Sequence, residues 1–203
     1  SNYIFLLRKA LKNSGFESVP VISLNLSGLE SCSGFRFTLP MLLKASFALL
    51  YGDMLMVLAN QCRPYEYVTG DTQRVVDHWT KELSRQFKHM QFLRVKKNYK
   101  RILADFDTIK RNKTPKIKVG IVGEIYMKYS PLGNSCLEDF LISEGAEPVV
   151  SGVMDFLLYC FTNCFIDNEL YGRNKKLILP LRIVVAYLLR RQKQTIHAIQ
   201  KHG

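Results

Sequence analysis

The amino-acid sequence predicts an α/β fold: a parallel sheet unit with an added helical layer or lobe. Three stretches carry that prediction. Residues 116–150 read as strand, glycine-bearing loop, helix and strand. Residues 19–24 read as a further short strand, and residues 72–110 as two amphipathic helices that form a hairpin against the sheet. The expected domain is residues 1–170 with the helical insertion at about 72–110, followed by a basic helical extension over 171–203.

In chain order, residues 3–14 read as a helix with Ile4, Leu7 and Leu11 on one face and Gly15 as the stop. The strand VPVISL leaves through a polar loop from Ser23 to Gly28. Its small hydroxyl and amide side chains suit either a ligand or turns of their own backbone, and turns are the commoner use. Thr38, Leu39 and Pro40 start the next helix, with proline in its first turn. That helix is apolar almost all round, so it should be internal. Thr38 to Ala59 approaches membrane length but, with Lys44 and Asp53 inside it, falls short of a span, which favours a buried core helix. Next comes Cys62-Arg63-Pro64-Tyr65-Glu66, where Arg63 and Glu66 are candidate ligand-binding residues. Arg63 beside Tyr65 and Glu66 suits a phosphate or carboxylate clamp, and equally an Arg63–Glu66 ion pair with Tyr65 on the core.

Asp71 or Thr72 should cap the first hairpin helix, whose stripe runs through Val75, Val76, Trp79, Leu83, Phe87 and Met90. The second carries Val95, Tyr99, Leu103, Phe106 and Ile109. Within residues 116–150, Ile117, Val119, Ile121 and Val122 suggest a central strand buried on both faces. Gly120 and Gly123 lack the third spaced glycine of a dinucleotide fingerprint, so close packing and a tight turn explain them better than phosphate contact. Glu124 follows at the strand's carboxyl end, where open α/β sheets bind ligands. The loop from Gly123 to Ser135 is long for such a connection. Ser135 and Glu138 have capping-box spacing, which starts a helix at Cys136 that Gly145 stops, and Pro148 opens the return strand. Residues 154–165 read as a buried apolar helix or turn with Cys160 and Cys164 as core residues. Residues 177–199 form a last helix, interrupted at Pro180 and strongly basic after Leu189.

Composition bounds the function. At 203 residues and 47% apolar, the chain can bury one good-sized core. No cleavable signal is visible, and five cysteines without framework spacing point to a reducing cytoplasm. No four-ligand cysteine set is present, so no metal is expected on this chain. The net charge of +12 suits an anionic partner. Between Arg94 and Lys118 ten Lys or Arg face only two acids, a run that reads as a solvated helix face. No zinc pattern or aromatic-interleaved glycine motif accompanies it, which argues against nucleic acid.

Four strings then carry a family resemblance: Tyr3-Ile4 with Leu7-Arg8-Lys9-Ala10-Leu11, Pro20-Val21-Ile22-Ser23-Leu24-Asn25, Arg63-Pro64-Tyr65-Glu66, and Gly120-Ile121-Val122-Gly123-Glu124-Ile125. The chain resembles the carboxyl-terminal part of acyl-CoA dehydratase activase-related proteins. Those are similar, in one chain, to the ATP-dependent activator and the iron–sulfur subunits of 2-hydroxyglutaryl-CoA dehydratase. The resemblance implies a Rossmann- or flavodoxin-like lobe beside a [4Fe–4S] cluster and an acyl-CoA. Gly123, Glu124 and Asn134 would line its crevice, Glu144-Gly145-Ala146 would close the helix, and Asp155 would lie near the next strand end. It further implies that the cluster cysteines and the ATP-binding domain belong to segments outside Ser1–Gly203, so the chain alone would carry neither group and would be inactive. The implied partners are an acyl-CoA and an iron–sulfur dehydratase or activator subunit, with no membrane. The implied role is to position a 2-hydroxyacyl-CoA beside the cluster; the alternative is a non-catalytic scaffold between activator ATPase and dehydratase. The catalytic residues stay unassigned.

Overall fold

The computed structural model describes residues 2–21, 38–172 and 175–202. The chain divides into two units, Ser1–Leu42 and Leu43–Gly203. In the first unit, helix α1 spans Asn2–Asn13 and closes through backbone bonds from Ser14 to Ala10 and from Phe16 to Leu11. Residues 19–21 take no strand conformation, and the rest of the strand expected at 19–24 lies outside the described residues, as do the polar loop to Gly28 and Cys32. Thr38 Oγ1 accepts the Met41 N–H at the start of the next helix, as the sequence leads one to expect.

Helix α2 spans Leu39–Cys62, and its residues from Leu43 on belong to the second unit. Phe47, Leu50, Tyr51, Met54, Leu55, Leu58 and Cys62 are buried, a helical repeat that makes α2 the spine of the core. By length and composition alone, Leu43–Tyr65 is also long and apolar enough to cross a membrane. A 3₁₀ turn over Arg63–Tyr65 leads to α3, Asp71–Lys88, and a second one over Gln91–Leu93 leads to α4, Val95–Asp107. These are the predicted hairpin helices. Trp79 and Leu83 from α3 meet Tyr99, Ile102, Leu103 and Phe106 from α4 in the core. Phe92, in the turn between them, stacks on Phe87 at 4.5 Å between ring centroids and meets Phe47 edge-on at 5.2 Å.

Beyond the hairpin, β1 is Lys118–Ile121, α5 is Ile125–Tyr129, α6 is Pro131–Asn134, α7 is Leu137–Ser143 and β2 is Glu147–Val150. The strands pair in parallel, with Lys118 opposite Glu147, Val119 opposite Pro148, Gly120 opposite Val149 and Ile121 opposite Val150. Two long helices finish the chain, α8 over Val153–Tyr171 and α9 over Lys175–His202, packed on each other, with α9 also on α4.

This corrects the predicted fold class. The described residues are mostly helical, and their sheet has two short strands, so no Rossmann- or flavodoxin-like sheet forms. The strand at 117–122 is not buried on both faces. Ile121 is 6% exposed, but Ile117 is 78% and Val122 89% exposed. Alternate positions hold Lys118 and Gly120, which contribute nothing to a second buried face. The larger apolar area lies on helices α2 to α4, α8 and α9, and burying it decides the architecture. Helix α8 also departs from expectation: Met154 and Leu158 are buried, while Phe156 and Tyr159 are exposed. Cys160 and Cys164 are half-buried rather than core residues.

Candidate functional site

The carboxyl ends of β1 and β2, where the sequence places the ligand crevice, are bridged by the segment expected to be an open loop. Ser130 accepts the Gly133 N–H and, with Pro131 behind it, starts α6, so most of residues 125–134 is helical. Tyr129 O–H donates to the Ser151 carbonyl at 2.5 Å, and Lys128 Nζ bonds Ser151 Oγ. Lys128 also lies over the Tyr129 ring, 5.0 Å from its centroid. Helix α5 therefore fastens directly to the residue that follows β2.

The named candidates sit around this bridge. Gly123 has φ +144°, a conformation that side-chain-bearing residues rarely adopt, and it forms the bend between β1 and α5. Glu124 is exposed in extended conformation just before α5, and its carbonyl accepts the Lys128 N–H. Asn134 is committed at both ends of its amide: Nδ2 donates to the Met127 carbonyl at 3.0 Å and Oδ1 accepts the Leu137 N–H at 3.2 Å. It ties α5 to α7 and does the capping that Ser135 and Glu138 were expected to do. The capping box does not form because Ser135 and Cys136 both take left-handed conformations, at φ +54° and +56°, and α7 starts only at Leu137.

Arg63 and Glu66 do not form the mutual ion pair; each is bonded to another partner. Arg63 Nη2 lies 2.7 Å from Asp139 Oδ1 and links the 3₁₀ turn to α7. Glu66 accepts the backbone N–H groups of Gly70 at 2.7 Å and Thr72 at 2.8 Å. It thus caps α3 from outside the helix, the job expected of Asp71 or Thr72. Burial works to raise the Glu66 pKa, but the bonds from Thr72 and Gly70 outweigh it and hold the carboxyl below its ordinary range.

Sequence reasoning missed the polar junction at the amino ends of the strands. Glu147, 4% exposed, accepts Tyr65 O–H at 2.7 Å and lies 3.2 Å from Lys118 Nζ. The bond to Glu147 raises the Tyr65 pKa, so the phenol stays a donor. Arg111 reaches back to within 3.5 Å of Cys62 Sγ, and burial pushes that thiol's pKa up. Glu147 stood in plain sight as the one acid beside the apolar Pro148-Val149-Val150. Asp53 was likewise visible, as a lone acid in an apolar helix. Its two oxygens accept the Val153 and Met154 N–H groups at 2.8 Å each, which caps α8. Burial raises its pKa.

Among the described residues, no group of three or more His, Cys, Asp or Glu is arranged to hold a metal ion. The chain matches no family model, no curated protein and no solved structure.

Proposed function

We infer that the chain is a docking lobe in an iron–sulfur-dependent 2-hydroxyacyl-CoA dehydratase system, holding the ATP-dependent activator beside the dehydratase. The system is taken from the sequence resemblance; the role within it rests on the region around the crevice. One observation carries it. The polar group that would have to reach a thioester, the Asn134 amide, is spent on Met127 and Leu137, while large apolar side chains nearby face solvent. Leu132 is 86% exposed and Val122 89%. A surface of that kind serves a protein neighbour better than a polar thioester with its phosphates.

The test uses the activator ATPase and the dehydratase subunits of such a system, mixed with the chain and followed by sedimentation velocity. A Val122→Asp, Leu132→Asp double variant should weaken the complex by about ten-fold or more, because each change puts a charge into the apolar contact. Both positions are solvent-exposed, so the melting curve should stay as it is. Acyl-CoA positioning is the competing role. If the double variant assembles like the wild type, and the chain binds a 2-hydroxyacyl-CoA with an affinity that Glu124→Gln reduces, docking is wrong and acyl-CoA positioning replaces it.

A further inference from the structure

Strand β1 is paired along one margin only. In a parallel pair the bonding groups of a strand alternate, and the Glu147 N–H donates to the Ile117 carbonyl, so the backbone of Ile117, Val119 and Ile121 faces β2. The N–H and carbonyl groups of Lys118 and Gly120 therefore turn the opposite way. Both residues are exposed, and among the described residues the sheet has no third strand to meet them. A Cβ built on Gly120 would touch nothing within 4 Å, so the strand is also open above its middle. A glycine inside a strand often marks the place where another backbone comes close.

The composition around this margin indicates what it takes. Ile117 and Val149, which borders Gly120 across the pair, are both exposed apolar residues. The chain approaches β1 through Lys110, Arg111, Lys113 and Lys116, and no acid occurs between Asp107 and Glu124. We propose that β1 takes an extended segment of a partner protein as a third strand, apolar in its middle and acidic at the end beside Lys113 and Lys116. Donors and acceptors repeating at every second residue of an extended backbone match another extended backbone. A helix has already used its own amides. A phosphate-bearing ligand meets the lysines but carries no regular row of donors for the Lys118 and Gly120 carbonyls. A second copy of this chain is disfavoured by the net charge of +12 on each. The proposal does not depend on whether the rim at Val122 and Leu132 docks a partner.

The probe is a fluorescently labelled peptide of about eight residues, alternating valine and threonine, with glutamates at one end. It is made with the acidic end first or last, so that parallel and antiparallel pairing are both covered. Fluorescence anisotropy should show saturable binding of one form. In the complex, hydrogen exchange at the Lys118 and Gly120 amides, followed by NMR, should slow by about ten-fold or more, while Val119 and Ile121, which already face β2, change little. N-methylation at alternate residues strips donors from one margin of the peptide at a time, so one alternation should abolish binding and the other keep it. A Lys113→Glu, Lys116→Glu double variant should bind about ten-fold more weakly, with its fold checked by circular-dichroism melting. Absence of saturable binding by either peptide overturns the proposal, as does equal loss with both N-methylated forms or unchanged exchange at Lys118 and Gly120 in the complex. Slow exchange of those two amides in the free chain overturns it as well, because the margin is then filled by this chain or a second copy of it.

Discussion

A single carboxylate can hold a helix start without belonging to the helix, and Glu66 does so for α3. Its ionised form takes the Gly70 and Thr72 N–H groups, and its pKa is lowered on balance. The linkage sign follows. A lowered carboxyl pKa means the folded state binds this proton less readily than the unfolded chain, so the stabilisation is present above the ordinary carboxylate range. It is lost as pH falls through the folded-state pKa. Replacing Glu66 with Gln should therefore cost about 1 kcal/mol at neutral pH, the usual scale of a helix cap. The gap between wild type and variant should close in acid. Urea titrations at pH 7 and pH 3 would measure it, and a gap of equal size at both would show that the charge plays no part.

At the scale of elements, the α2–α8 joint depends on close approach. Asp53 reaches from the middle of α2 to the first amides of α8, and a Cβ placed on Gly152 would collide with Asp53 Oδ2. Because that oxygen is tied to Met154 N–H, it cannot yield without giving up the cap. Gly152→Ala should destabilise the chain by about 1–3 kcal/mol, read as a lower urea midpoint at unchanged slope. An unaltered midpoint would mean the two helices have room to part. The helices themselves were legible in the sequence. Trp79, Leu83, Tyr99 and Phe106 fall at helical spacing and are buried as that spacing predicts. The larger sheet was not legible, because an apolar run such as Ile117 to Val122 reports local β preference and says nothing about whether neighbouring strands exist to cover it. The site residues were harder still. Asn134, Arg63 and Glu66 bond the chain's own backbone and side chains, and no spacing rule separates that use of a polar residue from ligand binding.

For the whole molecule, charge is the main influence that packing does not address. With 29 basic against 17 acidic residues, and α9 without an acid, the folded state concentrates like charges that the unfolded chain spreads apart. Screening should relieve this. Raising NaCl from about 20 to about 300 mM should lift the melting temperature by a few degrees, since the Debye length then drops below about 10 Å. A fall in melting temperature would show that the surface ion pairs outweigh the repulsion. The parallel pair has a different consequence at this scale. Glu147 donates its N–H toward β1, to the Ile117 carbonyl, and strand alternation turns the next residue's nitrogen the opposite way. That residue is Pro148, which has no hydrogen to offer. The outer margin of β2 is thus chemically blunted, whereas β1 turns ordinary amides outward at Lys118 and Gly120. Any foreign strand that enlarges this sheet has one hospitable side, and recruitment by backbone pairing is directional: it proceeds from β1 and halts at the proline.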